Sequence, residues 1–135
     1  MNWMSESKFV VVWAIPEVRD TDAWLMVRHV ERGWELPGGD IKKGEAADEA
    51  ALRELFEETG KLGIARAIDN DLIEGGSVVL VEVQGEAIPD PWGSSDSLIG
   101  EVGWCLITPE ETAWGEGEIE RIRSHDWSAS ISLGS

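Results

Sequence analysis

The chain has 135 residues, 42% of them hydrophobic, and a formal net charge of −16 at pH 7. That length suits one domain with its own core, expected to span residues 1–135, and the composition excludes a disordered chain. The charge argues against a grip on nucleic-acid backbone, which needs clustered Lys and Arg, and no apolar run approaches the roughly 18 residues of a membrane span.

Cys105 is the single cysteine. No intrachain disulfide can form, so a reducing, cytoplasmic setting is expected, and the run Trp104-Cys105-Leu106-Ile107 suggests a core thiol rather than a nucleophile. The many acids and few lysines leave two readings open: an ordinary acidic soluble surface, or adaptation to high salt.

In chain order, residues 8–15 and 23–30 are apolar and rich in β-branched side chains. The polar turn 17–22 separates them, so they read as a strand pair. The first run is expected to be a buried strand rather than a signal peptide, because it lacks the preceding basic stretch and the cleavage site. A short third strand is expected over 34–36, after which Pro37-Gly38-Gly39 breaks regular structure. A helix should run from Ala46 to Thr59 and close at Gly60, a residue suited to a left-handed cap. Its apolar stripe is Ala47, Ala51, Leu52, Leu55 and Phe56.

Beyond the helix, 62–72 reads as extended, Gly75-Gly76 as a turn and 77–83 as a buried strand. Residues 89–97 form a loop by composition, and 101–108 another strand. Pro109 can open a short helix over 110–113, and 116–124 reads as a second helix. Residues 128–135 are expected to fray.

The acids of 39–60 carry the chemistry. Glu54, Glu57 and Glu58 are three and four residues apart, so on a helix their carboxylates share one face. Stacked like charges repel, and a divalent cation reverses the sign of that energy. Mg²⁺ takes hard oxygen ligands and is commonly shared between protein carboxylates and substrate phosphates, with Mn²⁺ a second candidate.

The same residues carry a family resemblance. Gly39, Glu45, Arg53, Glu54, Leu55, Glu57, Glu58 and Gly60 fall on the Nudix box, G-x5-E-x7-R-E-U-x-E-E-x-G-U, where U is bulky and aliphatic. Only Lys61 departs from it, with Leu62 following at once. The lead-in Trp34-Glu35-Leu36-Pro37-Gly38 is also similar to the family's. The resemblance implies an α/β fold, the Nudix α/β/α sandwich with a mixed β-sheet and a catalytic loop-helix. It implies a Mg²⁺-dependent hydrolase that cleaves a nucleoside diphosphate linked to another moiety by attack of water on phosphorus.

By that resemblance Glu57 and Glu58 are the main metal ligands, joined by the Gly39 carbonyl. Glu54 binds metal or takes a proton from the attacking water. Arg53 orients the carboxylates, with Glu45 as its supporting partner. A further acid comes from a downstream loop: Asp96 and Glu101 are the candidates, with Glu101 favoured.

Subgroup signatures for ADP-ribose, dinucleoside polyphosphate and NADH substrates are missing, and the chain has no tyrosine. A nucleoside triphosphate or another small nucleotide derivative remains as the expected substrate. Trp34, Trp92 and Trp114 are candidates to stack a base, against core packing or loop anchoring. His29 and His125 have no Cys or His partners at zinc spacing. Many small members of the family dimerise, so a homodimer is allowed. The alternative to an enzyme is a non-catalytic Nudix-fold module that binds or senses a nucleotide.

Overall fold

A computed structural model describes residues 7–113 and 116–133. Trp114 and the last two residues of the expected frayed tail lie outside the described residues. The strands are β1 (Phe9–Pro16), β2 (Trp24–His29), β3 (Gly33–Glu35), β4 (Gly38–Asp40), β5 (Gly63–Asp69), β6 (Gly76–Val83), β7 (Ile99–Cys105) and β8 (Ile131–Ser132). The helices are α1 (Ala47–Thr59) and α2 (Glu116–Arg123).

The strands form two sheets, ordered β4-β1-β6-β5-β8 and β3-β2-β7. In the larger sheet β1 and β6 run parallel while the other pairs are antiparallel, so the sheet is mixed. Its central strands are hydrophobic on both faces, as strands covered on both sides must be. Val10, Val12 and Ala14 of β1 join one buried cluster with Ala50, Ala51 and Leu55 of α1. Val11 and Trp13 join a second cluster with Ile119 and Ile122 of α2. Leu25 and Val27 of β2 face the α1 cluster, whereas Trp24 and Met26 face the α2 cluster. Trp13 and Trp24 stack with ring centroids 5.2 Å apart, joining the two sheets. This is the expected α/β/α arrangement.

Five local expectations need correction. The first two strands are not a pair: β1 joins β4 and β6, and β2 joins β3 and β7. Runs apolar on both faces mark strands but carry no information about partners. Second, the Pro-Gly-Gly segment does not simply break structure. Gly38, Gly39 and Asp40 pair with Val11, Val10 and Phe9 as β4. A Cβ on Gly38 would collide with the Val10 carbonyl, so glycine here permits close strand approach.

Third, residues 110–113 form no helix. The backbone N–H of Trp34 donates to the Glu111 carbonyl at 2.7 Å, and that of Ala113 to the Trp34 carbonyl at 2.8 Å. The open side of β3 has captured groups that a helix would have satisfied locally. Fourth, the chain beyond Ser128 does not fray at once. A 3-10 turn at Trp127–Ala129 leads into β8, which pairs with Ala67 and Ile68 of β5. Fifth, Phe56 is 52% exposed and leaves the apolar stripe, while Ala50 is fully buried in its place. The first strand, the third strand, the main helix and the strands over 63–105 otherwise fall within a few residues of expectation.

Candidate active site

The helix that carries the acids is fixed at both ends. At its start Glu49 Oε1 accepts from the Ala46 backbone N–H at 2.9 Å. Ala46 has no side-chain oxygen to reciprocate, so this is half of a capping box. At its end Gly60 adopts the left-handed conformation, φ 77°, and its N–H donates to the Phe56 carbonyl. Trp92 reaches from the 89–97 loop to donate its indole N–H to the Thr59 carbonyl at 2.8 Å.

Lys61, the one departure from the box, places its ammonium 4.9 Å from the Trp92 ring centroid. Leu62 is 74% exposed and does not replace the missing aliphatic residue. Trp92 thus anchors a loop. Trp34 packs on the α2 cluster.

Between these ends, Arg53 gathers the neighbouring carboxylates. Its Nε donates to Glu45 Oε2 at 2.8 Å and one Nη to Glu45 Oε1 at 2.9 Å, a bidentate pair. The same nitrogen donates to the Asp40 carbonyl at 3.0 Å. The other Nη donates to Glu57 at 3.1 Å and lies 3.6 Å from Glu54. Hydrogen bonding from Arg53 holds the Glu45 carboxyl at about 2, far below the ordinary glutamate value. Arg53 is raised in turn, chiefly by its hydrogen bond to Glu45. One guanidinium therefore ties β4, the loop before α1 and two of the three box acids into a fixed arrangement.

Glu54 stands directly against Gly39 of β4, where a Cβ would collide with its carboxylate. Only glycine lets the helix acid and the strand backbone approach this closely. Burial raises the Glu54 carboxyl, Arg53 opposes that, and Glu57 adds to it. Glu58 is buried at 9% exposure and accepts from the Gly38 backbone N–H at 3.2 Å. Burial pushes its carboxyl up to about 8, with contributions from the charges of Glu54, Glu35 and Asp96. Glu57 is the open member, with its side chain 49% exposed.

Gly39, Arg53, Glu54, Glu57 and Glu58 are thus assembled around β4 and α1. Glu101 is placed elsewhere. It lies opposite Arg28 in the β2–β7 pairing, with an ion-pair distance of 3.9 Å. The charge of Asp96, the other downstream acid, contributes to the rise of the Glu58 carboxyl.

Sequence reasoning did not single out Glu35, whose charge also contributes to the rise of the Glu58 carboxyl. It sits on β3 and receives two hydrogen bonds, each 3.0 Å, from Arg32. The lead-in Trp34-Glu35-Leu36 was the available signal, since it places an acid on the strand just before the box.

Among the described residues, no three His, Cys, Asp or Glu side chains stand together as a ready metal cage. The arrangement nevertheless suits a cation with few protein ligands. Carboxylates are crowded and partly desolvated beside a strand backbone, which raises Glu54 and Glu58 through burial and mutual repulsion. Mg²⁺ completes such partial donor sets with water and substrate phosphate. Cys105, by contrast, is pushed up to about 11 by burial, as expected of a core thiol.

The comparisons agree with this geometry. The model of the NUDIX domain matches residues 8–121. A candidate 8-oxo-dGTP diphosphatase of Bacillus subtilis is 51% identical over 49 residues, 36% of this chain and 30% of the relative. An RNA pyrophosphohydrolase of Brucella ovis is 53% identical over 32 residues, 24% of this chain and 18% of the relative. The matches therefore span less than a third of either relative.

Among solved structures, a NUDIX hydrolase of Nitrosomonas europaea superposes with a TM-score of 0.60. It is 18% identical, over 96% of this chain and 77% of that one. A pyrophosphohydrolase of Bacillus subtilis gives 0.58 at 20% identity, over 94% and 88%. These likenesses concern the fold. Since the family model covers most of the sequence, the helix acids included, the chain belongs to the NUDIX family.

Proposed function

We propose that this protein is a Mg²⁺-dependent pyrophosphohydrolase that cleaves a small nucleotide derivative, a nucleoside diphosphate linked to another moiety. The observation that carries the reading is the crowding of Glu54 and Glu58 against β4, with Arg53 holding their neighbour Glu57. Such a cluster is costly without a cation and favourable with one. The names of the two curated relatives, a diphosphatase and a pyrophosphohydrolase, support the same reaction class. The net charge of −16 favours a small metal-complexed substrate over a long RNA.

Glu57, Glu58, Glu54 and the Gly39 carbonyl would hold the metal. When bound, a divalent cation supplies Lewis acidity toward the phosphate oxygens and the attacking water. The oxygen of that water attacks phosphorus and the anhydride P–O bond breaks, releasing two phosphate products. Glu54 either joins these ligands or, standing beside them, takes the proton of the attacking water. Arg53 acts on geometry, keeping Glu57 and Glu54 in register through Glu45 and Asp40. The extra downstream acid is assigned to Asp96 rather than Glu101, because Asp96 already acts on Glu58 whereas Glu101 faces Arg28.

The test is product release from a panel of nucleoside triphosphates, oxidised purine triphosphates, ADP-ribose, nucleotide sugars and 5′-triphosphate RNA, with Mg²⁺ or Mn²⁺. Turnover of one class is expected, with a loss of at least ~10²-fold in Glu57→Gln and an unchanged Tm. Full turnover in that variant would remove the helix acids from the mechanism. A folded protein that binds nucleotides but turns none over would be a binding module.

A further inference from the structure

The last turn of α1 ends in carbonyls that the helix itself cannot satisfy. Most of this terminus is closed locally. The Thr59 hydroxyl donates to the Leu55 carbonyl at 2.6 Å and accepts from the Lys61 backbone N–H at 3.0 Å. The Gly60 N–H donates to the Phe56 carbonyl. The Thr59 carbonyl is different. Thr59 is 3% exposed, and its carbonyl is met by the Trp92 indole N–H at 2.8 Å, from a residue 33 positions away. A buried carbonyl at this place would otherwise lack a donor.

Trp92 is itself fixed on several sides. Its backbone N–H and carbonyl pair with Val102 of β7 at 3.0 and 2.8 Å. Its side chain packs on the buried cluster that includes Leu55 of α1. Lys61, which departs from the box, holds its ammonium over the same ring.

From Trp92 the chain passes through Asp96 to Ile99, where β7 begins. Asp96 is half-buried and bonded within that stretch. Its backbone N–H donates to Ser94 Oγ at 3.0 Å, and its Oδ1 accepts from the Leu98 N–H at 2.9 Å. The Leu98 carbonyl in turn accepts from the Val30 N–H at 2.8 Å. The stretch is therefore short, internally bonded and fastened at both ends. Its acid contributes to the rise of the carboxyl of Glu58, the neighbour of Thr59.

We propose that Trp92 is a positioning residue of the hydrolytic site: by bonding Thr59 it locks the Asp96 loop against the end of α1 that carries Glu57 and Glu58. The inference rests on the hydrolytic reading of those acids. Trp92 acts through its neighbours and not on the substrate. It keeps the Asp96 carboxylate in one relation to the helix acids, so that Asp96 strengthens their hold on a cation.

The probe is Mg²⁺ alone, added to the full chain without nucleotide. Binding is followed by the backbone amide shifts of residues 54–58 and by the Trp92 indole N–H resonance. In the parent, both should shift saturably and in step. Trp92→Phe keeps a ring beneath Lys61 and removes the donor, and Asp96→Asn removes the charge. Each should weaken Mg²⁺ binding about tenfold. The double variant should bind no more weakly than the weaker single, because the second change finds the contribution of the loop already lost. Losses that add in the double variant, or parent-like binding in Trp92→Phe, would overturn the proposal. So would an indole resonance that stays still while 54–58 shift, a result that needs no variant to fold. A parent in which Mg²⁺ moves neither the amides nor the indole would overturn the hydrolytic reading, and the positioning role with it.

Discussion

Glu58 concentrates the electrostatic cost of the site in one carboxyl group, buried against Gly38 with Glu54, Glu35 and Asp96 nearby. Its folded pKa is raised to about 8, whereas the unfolded chain releases that proton near the ordinary glutamate value. Between those two values the folded protein holds a proton that the unfolded chain has lost. Stability therefore falls as pH rises through the window and levels off above it. In metal-free protein, thermal unfolding from pH 5 to 8.5 should show a decline in Tm that Glu58→Gln largely removes. The difference corresponds to a few kcal/mol at ~1.4 kcal/mol per unit of pKa shift. Adding Mg²⁺ should raise the Tm most at the alkaline end, because there the ion meets an ionised carboxylate. Identical pH profiles for the two proteins would mean that Glu58 is solvated like any surface acid.

At the scale of the element, α1 is a two-faced helix whose halves do different work. Leu55 is fully buried in the α1 cluster, and Phe56, one position on, is half exposed. A charge at Leu55 has no counter-ion in a core of Val and Ala, whereas a charge at Phe56 meets water. Leu55→Asp should yield insoluble or unfolded protein, and Leu55→Ala should cost about 2–5 kcal/mol. Phe56→Asp should remain soluble, with a Tm close to the parent's. Chemical denaturation of the three variants checks this, and a folded Leu55→Asp would show that the helix faces had been assigned in reverse. The stripe read from the sequence included Phe56 because a 3.6-residue period tolerates a neighbour at the margin of the face. Only the direction in which α1 sits on β4 and β5 removes it.

For the molecule as a whole, 27 acids against 11 bases mean that folding gathers like charge into a small volume. Ion pairs relieve part of this, as in the pairing of Arg19 and Arg66 with Glu82 at 2.6 and 2.9 Å. The rest is repulsion between exposed groups, which salt screens over a Debye length of about 10 Å at 0.1 M and about 3 Å at 1 M. The Tm in chelator should therefore rise from low to molar NaCl, where a chain of balanced charge would change little. A Tm that falls with salt would show that the surface pairs outweigh the net repulsion. The direction of the change also bears on the two readings of the acidic composition, since a chain suited to high salt should gain the most.

The spacing Gly39, Glu45, Arg53, Glu54, Glu57, Glu58 and Gly60 determined by itself where the candidate site lies, because most contacts it encodes are local, the approach of Glu54 to Gly39 excepted. Acids three and four residues apart share a helix face, a glycine closes the helix, and Arg53 reaches Glu45 and Glu57 within two turns. Continuous apolar runs likewise determined that β1, β2 and β6 are buried strands. The tertiary structure decided what those runs left open: that β1 lies parallel to β6 rather than beside β2, and that Gly38-Gly39 form a strand and not a break. It also set Glu101 opposite Arg28 and let the charges of Glu35 and Asp96 bear on Glu58. The physical reason is common to all of these. Strand partners and charges converging from separate loops are contacts between residues far apart in the chain, and no periodicity within a segment records which distant segment will lie against it.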